Sequence, residues 1–358
     1  MTTTTESSGR AGPAFSFLTT AYQSEQTLPR TVQSVLAQTE DDWELIVVDN
    51  GYSDAIVEAL APYLDDPRIR LVRQENKGPV GGMMAAAELA TGRYMVPLNS
   101  DDAVTPDFCA RTGQVLASDP GIAAVTCDAY LFVDPGEQRL ARSYLRSAGL
   151  RRVLDGPEPL RMADVIDGPN PYYTAPIRRE VWDAMGGLHS DTPMVDDLDF
   201  WLRTLVAGYD VRLIPDRLGR YRMEAGSESR PTDVHRTEQF EAQREQALSS
   251  AAEASQDPEA HAALDRVLPR LRYVQSLRRA RLSFRDGDVN AARHHAGVAY
   301  AQRRTLRVAA ILLALRLSPG LLAVVHPIKR GLQARVDQVR ERGARRWLSR
   351  DRRTRKAS

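Results

Sequence analysis

The sequence predicts an α/β fold: a mostly parallel sheet with flanking helices, followed by a helical C-terminal region. Three observations predict it. Over roughly the first 130 residues, short apolar runs alternate with helical patterns, as in βαβ units. The run Glu44–Asp49 is apolar without alternation inside its acidic ends, the mark of a strand covered on both faces. Beyond about Arg230 strand signals vanish, and the remaining patterns are helical with polar outer faces.

Taken in order, residues 1–13 are rich in Thr, Ser and Gly and read as a disordered leader with no signal-peptide core. Phe15–Thr20 reads as a buried strand. Thr27–Leu36 reads as a helix, with Thr27 as its cap, Pro29 in its first turn, and Leu28, Val32, Val35 and Leu36 on one face. Glu44–Asp49 is the second strand, Ala55–Leu64 a helix, Ile69–Val72 a short strand and Gly81–Ala90 a Met- and Ala-rich helix. Gly81 and Gly82 read as flexibility at that helix's start. Tyr94–Leu98 is the fourth strand, Thr105–Ala117 a helix and Ile122–Cys127 another strand. From Phe132 to Arg222 the pattern is irregular, with clusters such as Gly168-Pro169-Asn170-Pro171-Tyr172-Tyr173. One clear helix follows Asp196 and is closed by Gly208. Glu238–Ser255, Ala260–Phe284 and Ala291–Gln302 read as helices. The expected organisation is therefore a leader (1–13), an α/β domain (14–232), a helical accessory region (233–302) and an apolar, basic tail (303–358).

Composition bounds the function. The 358 residues are 42% hydrophobic and 27% charged, which excludes a disordered or fibrous chain. Two cysteines exclude a disulfide framework or a Cys-rich metal site and fit a reducing compartment. No run of about 20 apolar residues offers a membrane span. The net charge of +1 hides an asymmetry: residues 303–358 carry 16 Lys and Arg against 3 Asp and Glu, leaving residues 1–302 at −12. An acidic body with a basic tail suits an anionic surface. The apolar segment Leu306–His326, read as two short helices, adds a second attachment signal, so residues 306–356 are expected to meet an anionic membrane surface, against a plainer reading as a solvated face. No aromatic interleaving or motif points to nucleic acid.

In parallel sheets ligands sit at the carboxyl ends of strands. The residues to inspect are therefore Thr20, Asp49 and Asn99-Ser100-Asp101-Asp102. A divalent cation on a diphosphate takes one or two protein carboxylates and completes its shell with phosphate and water. Singly, each of these residues reads as well as a turn or cap residue. The acids Asp196, Asp197 and Asp199 crowd a helix N-terminus; one would cap, one point outward and one serve as a general base, and spacing does not rank them. The six histidines show no ligand spacing and read as structural. Met83 and Met84 read as core fillers; Tyr172, Tyr173 and Trp182 read equally as core or as an acceptor groove.

An ordered set of motifs resembles the family 2 glycosyltransferases with a GT-A fold. It runs from Thr20-Ala21-Tyr22-Gln23, Leu28 and Ser34-Val35-Leu36-Ala37-Gln38 through Glu44–Asp54 to Asn76-Lys77-Gly78, Ala90–Tyr94 and Leu98–Asp102. Gly186-Gly187-Leu188, Asp196–Asp199 and Arg220-Tyr221-Arg222 complete it, so the likeness covers about residues 14–230. It implies inverting transfer of one sugar from a nucleotide-diphosphate-sugar to a hydroxyl of a glycan, lipid or small-molecule acceptor, in cell-envelope polysaccharide, glycolipid or glycoconjugate synthesis. By that likeness Thr20, Ala21, Tyr22 and Asp49 hold the nucleoside, Asn99 and Ser100 line the donor site, and Asp101 holds a divalent metal (Mn²⁺ or Mg²⁺). Asp197 is the catalytic base, and Arg222 meets phosphate charge. The implied location is cytoplasmic, peripheral at the inner face of the membrane. Departures accompany the likeness. Asn99 replaces the usual first acid and would weaken metal affinity, Gln23 ends the first motif where Asn is usual, Asp196 stands where Glu is common, and Glu224 occupies a frequent His position. The Gln-x-x-Arg-Trp signature of processive synthases is absent, as is the Gly-rich loop of sugar nucleotidyltransferases. An inactive nucleotide-sugar-binding scaffold remains the alternative that Asn99 motivates.

Overall fold

A computed structural model describes residues 12–150, 152–189, 191–224 and 233–317. The expected leader up to residue 11 and the basic stretch beyond Leu317 lie outside the described residues. Strands β1 (Phe15–Ala21), β2 (Trp43–Asn50), β3 (Ile69–Gln74) and β4 (Tyr94–Pro97) run parallel in the order β3-β2-β1-β4. Helices α1 (Leu28–Leu36), α2 (Asp54–Leu60, continued by a 3₁₀ turn over Ala61–Tyr63) and α3 (Gly78–Leu89) connect them. β2 is buried along its whole length, which is why its sequence does not alternate. α1 buries Leu28, Val32 and Val35 as its periodicity predicts. Thr27 does not cap it: its hydroxyl donates to the Ser24 carbonyl instead of accepting from the helix. α3 starts three residues before Gly81, so Gly81 and Gly82 are interior. The physical requirement at Gly82 is close packing, since a Cβ there would lie 2.3 Å from the Thr20 methyl.

In the second half of the sheet only Ile122–Cys127, the start of a longer strand, was legible as a strand. That half comprises β5 (Ala103–Val104), α4 (Phe108–Ser118), β6 (Ile122–Val133), β7 (Gln138–Ser143), α5 (Tyr144–Ala148), β8 (Glu158–Pro159), α6 (Met162–Asp167), β9 (Ile177–Arg178), α7 (Arg179–Ala184), α8 (Asp196–Val206) and β10 (Asp210–Arg222). The full order is β3-β2-β1-β4-β9-β6-β10-β5, with β7 on β6 and β8 on β10. β9 lies antiparallel to both β4 and β6, so the sheet is parallel through its first four strands and mixed beyond them. β10 hides in the sequence because Pro215 and register shifts between Leu213 and Gly219 break its alternation. Tyr172 and Trp182 prove to be core side chains, and a Cβ at Gly219 would lie 2.1 Å from the Tyr172 ring.

Four helices follow: α9 (Val234–Ala254), α10 (Pro258–Arg285), α11 (Val289–Gln302) and α12 (Leu306–Leu317). The chain forms two compact units that divide at Val267/Leu268, within α10. In the first, α9 packs on α8, and Arg161 and Arg266 pair with Glu259 and Asp167. In the second, Ala292, Ala296 and Ala299 of α11 are fully buried among Leu277, Ala280, Val308 and Leu315. No helix of the described residues is long and apolar enough to cross a membrane.

Candidate active site

The carboxyl ends of β1, β2 and β3 lie side by side, with Ala21 opposite Asp49 and Asp49 opposite Arg73. Asp49 is buried. Its Oδ1 accepts from the Ser53 N–H at 3.0 Å, and its Oδ2 accepts from Arg73 Nε at 2.9 Å. Each oxygen keeps a further lone pair, but the group that reaches solvent is the Arg73 guanidinium, 5.7 Å from the Tyr52 ring. Tyr22 is 51% exposed and its ring faces Gly51, so two exposed aromatic faces, Tyr22 and Tyr52, stand beside the Asp49–Arg73 pair. Such faces suit a planar base.

After β4 the chain turns through Asn99-Ser100-Asp101-Asp102, and the structure separates the two acids. Asp102 is fully buried. Its Oδ1 accepts from the Arg222 N–H at 2.7 Å and its Oδ2 from the Tyr173 hydroxyl at 2.7 Å. The same hydroxyl accepts the Asn99 N–H at 3.1 Å, so Tyr173 fixes both ends of the loop. Burial, with Asp101 beside it, pushes the Asp102 pKa well above its ordinary value. Asp101 is 37% exposed at its side chain and, among the described residues, meets one cation, Arg222 Nη1, at 3.7 Å. Burial raises its pKa above the ordinary value, and Arg222 pulls it back. Asp101 is thus the acid with uncommitted oxygens, and Asp102 the one that holds the loop. No group of three or more His, Cys, Asp or Glu side chains gathers for a metal among the described residues.

Arg222, at the end of β10, faces the same loop. Its Nε donates to Asp134 Oδ2 at 2.7 Å and its Nη1 to Glu224. Asp134 and Glu137, in the turn between β6 and β7, also hold Arg30 of α1 and Arg220. Arg30 reaches the Asp101 carbonyl at 3.4 Å with its guanidinium over the Phe132 ring. Three arginines therefore converge on the edge of the Asp101 loop.

Two of the acids on α8 take different partners. Asp199 pairs with Arg203 at 2.7 Å. Asp197 Oδ2 accepts from the Asn170 amide at 2.9 Å, and its Oδ1 from the Leu198 N–H at 2.7 Å. Burial pushes the Asp197 pKa up to about 6, against the pull of those backbone and amide hydrogen bonds and of Arg244. Asn170 and Tyr173 lie three residues apart, so their Cα atoms are within about 11 Å even at full extension. One loop therefore grips Asp197 with Asn170 and the Asp102 carboxylate with Tyr173.

Every residue expected at the site is described, and Asn99, Ser100, Asp101, Arg222 and Asp197 gather around this loop or its partners. Thr20, Ala21, Tyr22 and Asp49 form a neighbouring group on β1 and β2. Sequence reasoning missed Asn170, Arg30, Arg73, Asp134 and Arg244, and it named Tyr173 only as core or acceptor groove; the Gly168–Tyr173 cluster was the available signal for Asn170. Other shared motifs turn out to be braces. Glu44 Oε1 accepts from Ser16 and from the Thr91 and Gly92 backbone. Asn50 ties to Gln74, Lys77 and Gly78, and Gln38 joins Thr105 to the Cys109 N–H.

Residues 16–181 match the family described as Glycosyl transferase family 2. The succinoglycan biosynthesis protein ExoO of Rhizobium meliloti is 41% identical over 100 residues, 28% of this chain and 28% of that protein, so the match spans little more than a quarter of the relative. The fold is similar to that of Staphylococcus aureus TarS 1–349, solved with UDP-GlcNAc, at a TM-score of 0.59 and 15% identity over 85% of this chain and 87% of that one. It is also similar to the mannosyltransferase PcManGT of Pyrobaculum calidifontis, solved with GDP-Man and Mn²⁺, at a TM-score of 0.51 and 18% identity over 85% and 81%. Over residues 16–181, the chain is similar to glycosyl transferase family 2.

Proposed function

We propose that this chain transfers a single sugar from a nucleotide-diphosphate-sugar to an acceptor hydroxyl, with inversion, in the synthesis of a polysaccharide or glycoconjugate. The observation that carries the reading is the Asn170–Tyr173 loop, which binds the candidate base and the candidate donor loop at once. In one displacement, Asp197 Oδ takes the acceptor's proton while the acceptor oxygen bonds to the anomeric carbon. The bond from that carbon to the diphosphate oxygen breaks, and the nucleoside diphosphate leaves with the electron pair. A carboxylate near pKa 6 suits this work: it is ionised at neutral pH yet more basic than an exposed Asp.

Thr20, Ala21, Tyr22 and Asp49 are assigned to the nucleoside, with Arg73 and Tyr52 beside them. Asn99, Ser100 and Arg222 are assigned to the diphosphate-sugar. The residues present fit a divalent cation held by one protein carboxylate: Asp101 has free oxygens and partial exposure, and Asp102 does not. When bound, such a cation, Mn²⁺ or Mg²⁺, offsets charge on the departing diphosphate. Arg222 would aid that task from its place 3.7 Å from Asp101. Residues 233–302 are assigned to acceptor selection as an accessory region.

The test is a panel of UDP- and GDP-sugars scored by binding and by release of nucleoside diphosphate, with and without Mn²⁺. Binding to at least one donor with metal-dependent turnover is expected. Binding with no turnover on any donor or acceptor would favour the scaffold reading that Asn99 raises.

We also propose an anionic lipid surface as a partner. On α12, Leu306, Ala310, Leu313 and Leu317 form one exposed stripe at helical spacing, with Leu306 at 92%, Leu313 at 57% and Leu317 at 75% exposure. Arg303, Arg304, Arg307 and Arg316 surround it, and residues 303–358 carry the net +13 of the sequence. Apolar contact plus basic charge is the two-signal arrangement for peripheral attachment, at the inner face of a membrane in this reading. Co-sedimentation with phosphatidylglycerol vesicles at physiological salt is expected, and Leu313→Glu should abolish it. A chain that stays in the supernatant removes this partner.

A further inference from the structure

The base carboxylate has a neighbour that the reaction scheme does not use. α9 packs on α8, and the Gln243 side chain accepts the Met194 N–H at 3.1 Å, three residues before Asp197. The next residue on α9, Arg244, is half-buried and within electrostatic reach of Asp197, Tyr144 and Glu241. Among the described residues its guanidinium makes no hydrogen bond and no ion pair. That is unusual here, because Arg30, Arg73, Arg203, Arg220 and Arg222 are all paired with carboxylates. A partly desolvated guanidinium without a partner forgoes several charge-assisted hydrogen bonds. Burial accordingly pulls its pKa below the ordinary arginine value. Asn170, which donates to Asp197, has a buried Oδ1 that also lacks a partner. Two polar groups without partners among the described residues, from two different elements, thus lie near one carboxylate.

We propose that Arg244 binds an oxyanion, a phosphate or a carboxylate, carried by the acceptor, so that the enzyme's acceptors are anionic. The proposal rests on the reading of Asp197 as the base that meets the acceptor hydroxyl. The donor's diphosphate is assigned elsewhere, to the Asp101 loop and Arg222 at the ends of β4 and β10. Arg244 comes from α9, on the side of α8. A guanidinium is the side chain that matches either oxyanion bidentately. Its neutralisation by an arriving anion has a second effect. Arg244 draws the Asp197 pKa down, so an anionic acceptor that engages Arg244 strengthens the base it is about to use.

The experiment uses the full chain saturated with UDP or GDP, whichever it binds, and Mn²⁺, so that the diphosphate site is filled. Inorganic phosphate and glucuronate are titrated separately by calorimetry into wild type, Arg244→Gln and Arg244→Lys. The two probes distinguish a phosphorylated acceptor from an acidic sugar. The expected result is binding of at least one probe to wild type, weakened about tenfold or more in Arg244→Gln. Arg244→Lys should keep part of the affinity, and nucleotide affinity should be equal in all three. That last measurement also reports that each variant is folded. Equal probe affinity in wild type and Arg244→Gln, no binding of either probe to wild type, or a loss of nucleotide affinity in Arg244→Gln would each overturn the proposal. Failure of wild type to bind any nucleotide would instead strike the glycosyltransferase reading itself.

Discussion

The polar groups around the Asn99–Asp102 loop and those around Asp197 are treated in opposite ways. At the first, protein holds most groups: Asp102 is held by a backbone N–H and a tyrosine hydroxyl and Arg222 by two acids, and Arg30 Nε is the buried exception. At the second, Asn170 Oδ1 and the Arg244 guanidinium have no partner among the described residues. A saturated network is rigid and leaves one group, Asp101, to vary its partner. An unsaturated one carries a desolvation cost that a ligand relieves. In the proposed function, the difference means that the donor end is built before substrate arrives and the acceptor end is completed by it.

The comparison breaks most plainly at Asp197. Asp197→Asn keeps the shape and one of the two accepted hydrogen bonds but loses the proton acceptor, so kcat should fall about 10²- to 10⁴-fold with donor affinity unchanged. Steady-state transfer and donor titration on the same sample measure both. Undiminished turnover would take Asp197 out of the base role.

The saturated end is tested by Tyr173→Phe. The variant leaves Asp102 Oδ2 and the Asn99 N–H without their shared hydroxyl. Denaturant unfolding should show a loss of about 1–3 kcal/mol, because a buried acceptor is stranded. Donor affinity should fall as well, since the loop that carries Asp101 loses its fastening. A variant as stable as wild type would mean that the network is not holding the loop.

How much of this was legible follows the same divide. β1 to β4 are parallel, buried on both faces and joined by short helices, so each strand announces itself by a local apolar run; Leu45–Val48 is the clearest. Asp49 and Asp101 were findable because they end such runs. β9 is two residues long and exists only because β4 and β6 flank it. β10 carries Pro215 and three register shifts, and Asp210, Arg212, Arg217 and Arg220 interrupt its apolar positions. No window of sequence contains the partners that make these segments strands. The hydrogen bonds of Asn170 and Tyr173 were unreadable for the same reason: their partners, Asp197 and Asp102, lie 27 and 71 residues away. The resemblance singled out Asp197, which periodicity could not, but it gave Asp102 no role, and the hydrogen bonds separate Asp101 from it.

The acid limb of the pH–rate profile sharpens the comparison without a mutation. Asp197 must be ionised to act, and its pKa lies at about 6, so kcat/KM should fall tenfold per unit below about pH 6 and level off above it. Stability carries the opposite sign. The folded-state pKa exceeds the ordinary 3.8, so between about pH 4 and 6 the native state binds more protons than the unfolded one. This contribution is full below pH 3.8 and disappears as pH rises through about 6. Asp197→Asn should flatten both dependences together; an unchanged acid limb in a variant with residual activity would assign the limb to another group.

The smallest expected effect is the most specific. Asn170 donates to Asp197 Oδ2 at 2.9 Å, and this hydrogen bond favours the ionised carboxylate. Asn170→Ala removes it and leaves burial to act with one opponent fewer, so the acid limb should move upward from about 6. The plateau rate should drop modestly, because the carboxylate loses a positioning contact but keeps the Leu198 N–H. Stability should change little, since the same substitution removes the buried Oδ1 that has no partner. Tyr173→Phe offers the control. It lies three residues along the same loop yet touches Asp102, so it should lower stability and donor affinity without moving the limb. If both variants shift the limb equally, the loop acts as one rigid body, and the separation of a saturated donor end from an open acceptor end fails at the one segment that joins them.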